Sequence, residues 1–154
     1  MAEGLTHFPM TGPLAPADAS AVILVDPAGR YLMQERDDIP GIFYPGHLGL
    51  FGGAREGAED YAACAAREVE EELGLDLSDR LVPFITVRLD FAGFGYGEVG
   101  RAFFTAAITS DEAAITRVAE GKRAVLIDGV TMLRERHVTP YDAFALWQHL
   151  NASA

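Results

Sequence analysis

Short apolar runs separated by turn-forming residues characterise the first third of the chain. Residues 21–25, AVILV, are wholly apolar, and residues 30–36, RYLMQER, follow the tetrapeptide DPAG. Apolar and β-branched residues favour strands, whereas Asp, Pro and Gly favour turns. This pattern predicts a β-hairpin. Residues 37–49 then mix prolines and glycines with bulky side chains and predict an ordered loop, and LGLFGG at 48–53 predicts a strand that ends in a glycine turn.

The helical pattern is clearest between Asp60 and Leu73. Alanines and other helix formers fill this segment, Asp60 is a suitable N-cap, and Gly74 stands where a helix commonly ends. The alanine-rich stripe of such a helix can pack closely against a sheet. We therefore expect a central helix that follows directly on the glycine turn.

The second half of the chain predicts three more strands and one more helix. The strands are expected at residues 81–91, 101–108 and 123–127, with the four-glycine segment 92–100 linking the first two, and the amphipathic helix at residues 139–150, with Pro140 near its start. Strands on both sides of a central helix, followed by a closing helix, predict a mixed α/β or α+β sandwich. The pattern does not decide the topology.

Length and composition are those of one globular domain. The chain has 154 residues, of which 49% are hydrophobic. Residues 1–18 have no regular periodicity and predict a flexible N-terminal segment before a single domain at residues 19–152. No run reaches the roughly 18 apolar residues of a membrane span, and Cys64 is the only cysteine. We expect a soluble cytoplasmic protein that has no membrane partner.

The charge balance bears on the partners of this domain. The formal net charge is -11, and Lys122 is the only lysine. An acidic surface argues against binding to long nucleic acid, because proteins bind the phosphates of nucleic acid with clustered lysines and arginines. A small anionic ligand remains compatible with the composition if cations accompany it.

The acidic cluster at residues 68–72 is the most unusual feature of the central helix. At about 100° per residue, the side chains of Glu68, Glu71 and Glu72 fall along one edge, and that of Glu70 points elsewhere. Like charges at this spacing destabilise a helix unless something offsets them. Mg²⁺ takes oxygen ligands, so the cluster together with a backbone carbonyl near Gly53 would suit a divalent cation. The alternative is a solvated acidic face that binds no metal.

The same stretch resembles the signature of the Nudix hydrolase family, G-x5-E-x7-R-E-U-x-E-E-x-G-U, where U is a bulky aliphatic residue. All nine fixed positions are filled: Gly53, Glu59, Arg67, Glu68, Val69, Glu71, Glu72, Gly74 and Leu75. LMQER, LGLFGG, EGKRAVLI and TPYDAFAL are similar to flanking family segments, so the resemblance covers roughly residues 20 to 150. Phe51 stands where relatives commonly have a proline, and Ala58 where they have a glycine.

This resemblance implies a fold, a reaction and a set of site residues. It implies a Nudix α/β/α sandwich with a mixed central sheet and flanking helices. It implies metal-dependent hydrolysis of a phosphoanhydride bond in a nucleoside diphosphate linked to another moiety, such as an ordinary or oxidised nucleoside triphosphate or a nucleotide sugar. The implied cofactor is Mg²⁺ or Mn²⁺, and a homodimer is compatible with the family. A catalytically silent nucleotide-binding regulatory module is the alternative.

Roles for individual residues follow from the matched positions. The metal ligands implied are Glu68, Glu71, Glu72, the Gly53 carbonyl and Glu120, and any of these glutamates could be the general base. Arg67 is expected to orient the glutamates, Glu59 to tether the loop, and Gly74 to end the helix. Candidates for contact with the small nucleotide substrate are rings and cations outside the signature: Arg36, Tyr44, His47, Arg88, Phe94, Tyr96, Arg101 and Trp147. The alternative for each of these residues is an ordinary position in the core, in a loop or on the surface, without contact to a ligand.

Overall fold

A mixed seven-stranded sheet lies at the centre of the computed structural model, which describes residues 16–40, 44–114 and 123–152. The strands are β1 (Ala19–Val25), β2 (Tyr31–Glu35), β3 (Leu48–Gly49), β4 (Phe51–Ala54), β5 (Val82–Asp90), β6 (Glu98–Ala107) and β7 (Arg123–Ile127). The helices are α1 (Tyr61–Leu73), α2 (Ser110–Ala113), α3 (Gly129–Glu135) and α4 (Pro140–Ala152). A turn of 3-10 helix at Ala92–Phe94 lies between β5 and β6.

The sheet is mixed because β1 runs parallel to β6 and antiparallel to its other neighbours. β1 and β2 form the predicted antiparallel pair, but they stay together only at the turn end, where Leu24 faces Leu32. Further along, β4 takes over as the neighbour of β1, and β3 pairs with β2. The prediction of a single strand at residues 48–53 was therefore wrong: each half of that segment pairs with a different strand of the opening hairpin.

The alternation of side chains along β1 divides the core into two layers. Val22 and Leu24 belong to a buried cluster with Ala65 and Val69 of α1. Ala21 and Ile23 face the opposite way, into a cluster that includes residues of α3 and α4. Successive strand side chains point to opposite faces, so an apolar run such as AVILV fits a strand covered on both sides. The result is an α/β/α sandwich with α1 on one face.

The ends of α1 are those predicted. The Asp60 side chain accepts a hydrogen bond from the Ala63 N–H at 2.7 Å. Gly74 is left-handed at φ 70°, and its N–H donates to the Glu70 carbonyl at 2.8 Å. A left-handed C-cap suits glycine because it lacks a Cβ. These caps fix where the helix that carries the glutamates begins and ends.

Other differences from the predicted elements are small. β6 begins at Glu98, inside the segment predicted as a glycine-rich link. α3 was not predicted: it is short, begins at a glycine, and buries only Gly129 and Met132. Its N-cap is Asp128, whose side chain accepts from the Thr131 N–H. Among the described residues, no helix is long and apolar enough to cross a membrane.

Candidate active site

Two adjacent glycines bring β4 unusually close to its neighbours. A Cβ on Gly52 would lie 2.7 Å from the Ala21 Cα and also clash with the Ser20 carbonyl. A Cβ on Gly53 would lie 2.5 Å from Cδ of Glu68. Glycine is therefore needed at 52 so that β4 can pair with β1, and at 53 so that the Glu68 carboxylate can lie against the strand.

Arg67 is the centre of the charged cluster on α1. Its Nη2 donates to Glu59 at 2.7 Å, and its Nη1 is shared by Glu68 at 3.0 Å and Glu71 at 3.2 Å. Nη2 also donates to the Ala54 carbonyl at 3.1 Å. The hydrogen bonds from Arg67 and from the Glu56 N–H lower the pKa of Glu59 to about 2. Glu59 thus joins the turn after β4 to the helix through Arg67, and Arg67 also binds two signature glutamates.

The four glutamates of the cluster have different surroundings. Glu68 keeps only 16% of its side-chain surface exposed, whereas Glu71 keeps 58%. Burial raises the pKa of Glu68, and the hydrogen bond from Arg67 partly opposes this effect. Glu72 is partly buried and accepts a hydrogen bond from Nε2 of Gln34 at 3.1 Å. Glu70 is exposed, as its position on the helical wheel predicted.

The donor atoms at this edge of α1 suit a hard divalent cation. They are carboxylate oxygens and the Gly53 carbonyl, which also accepts a weak hydrogen bond from the buried Cys64 thiol at 3.4 Å. The close approach of Glu68 to Gly53 places a carboxylate directly beside the strand. Within the described ranges no three acidic, His or Cys side chains stand in a ready-made metal arrangement. The carboxylates are instead held by Arg67 and Gln34.

A cavity of about 520 Å³ adjoins the two glycines. Apolar side chains of the β5–β6 end, including Leu89, Phe91 and Val99, form part of its wall. Three of the predicted substrate residues also line it, namely Arg36, Tyr44 and Arg101, together with Tyr141 and Asp142 at the start of α4. A ligand in this space would lie next to the signature loop.

Asp142 organises one wall of the cavity and is almost fully buried, with 1% of its surface exposed. Oδ1 accepts from Nη2 of Arg101 at 2.8 Å. Oδ2 accepts from the Leu50 N–H at 3.0 Å and from the Thr139 hydroxyl at 2.7 Å. These bonds tie β6, the β3–β4 segment and α4 together, so the position of Arg101 is fixed by a buried partner.

Aromatic rings complete the same wall. The Arg101 guanidinium lies 4.6 Å from the Tyr141 ring centroid, and the Tyr141 ring meets the Tyr44 ring edge-on at 5.8 Å. Burial raises the pKa of Tyr141. Sequence reasoning missed Tyr141 and Asp142. They stand in TPYDAFAL, where an aspartate in the first turn of a helix ordinarily indicates a favourable dipole interaction and carries no sign of burial.

The remaining predicted site residues lie elsewhere. Arg88 is exposed and pairs with Glu98 at 3.0 Å. Trp147 is 53% exposed on α4 and stacks on Phe144. The structure places His47 against the rings of Tyr44 and His137, and it does not place Tyr96 among the residues that line the cavity. Glu120, the Phe94 side chain and residues 1–15 lie outside the described part of the chain.

Comparison with known proteins decides the family. A sequence model described as NUDIX domain matches residues 15–143. The chain belongs to the Nudix family. No curated protein matches this Nudix chain in sequence.

Solved structures share the Nudix fold. A MutT NUDIX hydrolase from Burkholderia pseudomallei matches with a TM-score of 0.65 and 25% identity, over 86% of this chain and 97% of that one. The E. coli dihydroneopterin triphosphate pyrophosphohydrolase matches with a TM-score of 0.63 and 18% identity, over 87% and 94%. The NUDIX domain of Shewanella oneidensis NrtR, in a complex with ADP ribose, matches with a TM-score of 0.67 and 15% identity, over 91% and 90%.

The Nudix assignment confirms two predictions from the sequence, the family and the α/β/α sandwich with a mixed sheet. It also identifies the protein as a Nudix pyrophosphohydrolase, an enzyme that hydrolyses pyrophosphate bonds.

Proposed function

We propose that this Nudix protein hydrolyses, with a divalent metal ion, a phosphoanhydride bond in a nucleoside diphosphate linked to another moiety. Suitable substrates are ordinary or oxidised nucleoside triphosphates and nucleotide sugars. The observation that carries the proposal is a set of contacts at the border of the cavity. Glu68 lies against Gly53, and Arg67 binds both Glu68 and Glu71. The reacting phosphates would lie at the glutamates and the rest of the substrate in the cavity.

The proposed metal is Mg²⁺ or Mn²⁺. Glu68, Glu71, Glu72 and the Gly53 carbonyl would hold it, with Glu120 as a further ligand or base. When bound, the ion would neutralise the pyrophosphate and lower the pKa of the attacking water. This would also offset the repulsion between an anionic substrate and a chain of net charge -11.

The side chains of the chain itself would then position the reaction. Arg67 holds two glutamates at once, and Glu59 holds Arg67, so the acidic edge is oriented before substrate arrives. Glu68 is a candidate general base because burial raises the pKa of its carboxyl above the ordinary value. Glu71, Glu72 and Glu120 remain alternatives for that role.

The charges and rings of the cavity wall suit an anionic substrate that has a planar part. Arg36 and Arg101 line the cavity and supply positive charge, although Asp142 already binds Arg101. Tyr44 and Tyr141 supply rings against which a base or sugar could pack. We propose that these four residues bind the part of the substrate that lies beyond the pyrophosphate.

A nucleotide panel incubated with Mg²⁺ tests the proposed activity. The expected result is release of a nucleoside monophosphate or pyrophosphate from at least one member. Glu72→Gln should abolish most of this release, whereas Glu70→Gln removes the same charge from an exposed position on the same helix and should leave it unchanged. Equal activity in the wild type and in Glu72→Gln would contradict the assignment of the site.

The alternative is a module that binds nucleotide without turnover. The NUDIX domain of NrtR, which was solved with ADP ribose, has the same fold. The same panel distinguishes the two functions. Nucleotide binding detected by calorimetry, with no product from any member at saturating Mg²⁺ or Mn²⁺, would favour the regulatory module.

A further inference from the structure

Gln34 is a buried polar side chain within an otherwise apolar part of the sheet. It lies on β2 with 2% of its surface exposed, and its strand is paired on both sides, with Gly49 on β3 and Ala124 on β7 as its partners in register. Leu32, two residues earlier and therefore on the same face, belongs to the cluster under α1. A buried amide is costly unless it is hydrogen-bonded. The partners of Gln34 are therefore informative.

One partner is a glutamate of the Nudix signature. Nε2 of Gln34 donates to Oε1 of Glu72 at 3.1 Å. The side-chain nitrogen of glutamine can only donate, so Oε1 of Glu72 is the acceptor and its carboxylate is held in one orientation by this contact. The contact joins residues 38 positions apart, and it runs from the central sheet to the end of α1.

The position of Glu72 explains why it needs such a contact. Glu72 is the last residue but one of α1, two residues before the Gly74 cap, and helix ends fray more readily than helix interiors. A glutamate side chain also loses considerable rotamer freedom when it is held in one place. Gln34 stands on a strand that is hydrogen-bonded on both edges and is therefore a rigid point of attachment.

We propose that Gln34 is a positioning residue that orients Glu72 for metal binding. The inference rests on the proposed function, because it assumes that Glu72 is a metal ligand. Partners of this kind behind a metal ligand commonly alter metal affinity by about 10–100-fold when they are removed. Gln34 would act through Glu72 without touching substrate.

Gln34→Met tests the proposal, since methionine has a similar shape but no donor. We expect Mn²⁺ to bind the folded full-length variant about 10-fold or more weakly than the wild type, measured by calorimetry without substrate. Met33→Leu, in the cluster on the opposite face of the same strand, is the matched control and should bind Mn²⁺ normally. If Gln34→Met does not fold, Gln34→Asn serves instead, because its amide is one methylene too short for the contact.

A purely structural role for Gln34 would give a different result. It would lower the melting temperature while leaving the Mn²⁺ affinity of the folded protein unchanged, and this outcome would overturn the proposal. A double-mutant cycle adds a second criterion. In a Glu72→Gln background, Gln34→Met should produce no further loss of Mn²⁺ affinity, and an undiminished loss would show that Gln34 does not act through Glu72.

The experiment also separates this inference from the proposed function. If the wild type binds Mn²⁺ and Gln34→Met binds it equally well, only the role of Gln34 is wrong. If the wild type binds no Mn²⁺ with or without nucleotide, the proposed metal site is wrong, and the proposed role of Gln34 is wrong as well.

Discussion

Replacing Gly53 by alanine should impair the site while sparing the fold. The added Cβ would lie 2.5 Å from Cδ of Glu68. Carbon atoms in contact normally stand about 3.5–4.0 Å apart, so the carboxylate must retreat by about 1 Å. Glu68 is the end of a flexible side chain and can make this shift. A displacement of about 1 Å in a catalytic group can cost on the order of 100-fold in rate.

The expected change in stability is small because two effects oppose each other. Gly53 is not in a left-handed conformation, so alanine should gain about 0.4–1 kcal/mol by restricting the unfolded chain. Weakening the 3.0 Å hydrogen bond of this largely buried pair, Glu68 and Arg67, should cost about 1 kcal/mol, because Arg67 keeps Glu59 as a partner. We therefore expect the free energy of unfolding to stay within about 1 kcal/mol of the wild type.

The adjacent glycine provides the contrast. In Gly52→Ala the new Cβ meets the backbone at Ser20 and Ala21, which cannot move without separating β1 from β4. This variant should lose about 1–3 kcal/mol of stability or more. Gly97→Ala, where a Cβ has open space, is the control for the substitution itself. Urea unfolding and Mg²⁺-dependent hydrolysis would be measured on all three. Wild-type turnover in a fully folded Gly53→Ala would refute the reasoning.

Three further predictions concern charges and caps. Asp142→Ala should lower the free energy of unfolding by about 3 kcal/mol in denaturant titrations, because Arg101 loses its buried partner; a loss below about 1 kcal/mol would contradict this. Arg80 lowers the pKa of Glu112 from 4.5 to about 2, so this stabilisation is present above pH 4.5 and is lost as pH falls toward 2. As the pH falls from 4.5 to 2, the free energy of unfolding of Glu112→Gln should therefore decrease less than that of the wild type, as measured by urea titrations at each pH. An equal decrease in the two proteins would contradict this. Asp60→Ala should cost about 1 kcal/mol through loss of the N-cap, as thermal unfolding would show, and an unchanged melting temperature would count against it.

The sequence predicted those parts of the fold that depend on local chemistry. The caps of α1 at Asp60 and Gly74 were correct because capping is decided by a few neighbouring residues. The split of residues 48–53 into β3 and β4 was not foreseen, because it depends on how far β1 and β2 diverge, which is a property of the whole sheet. α3 was missed because a short helix that begins at a glycine has little periodicity.

The candidate site shows the same division. The helical spacing placed Glu68, Glu71 and Glu72 along one edge of α1, and in the structure Arg67 contacts the first two of these. By contrast, nothing in the local sequence around Gln34 or Asp142 indicates that either is buried against a site residue. Both contacts join distant segments, over 38 and 41 positions, and only the tertiary fold brings their partners together.

The most direct test of the account is a crystal structure with Mn²⁺ and a non-hydrolysable nucleoside triphosphate analogue, examined by anomalous scattering. The account predicts a manganese peak within bonding distance of oxygens from Glu68, Glu71 or Glu72 and of the analogue's phosphates, with the rest of the analogue in the cavity beside Arg101 and Tyr141. A bound analogue with no manganese at these glutamates, or a manganese ion at a different place on the protein, would contradict the proposed chemistry.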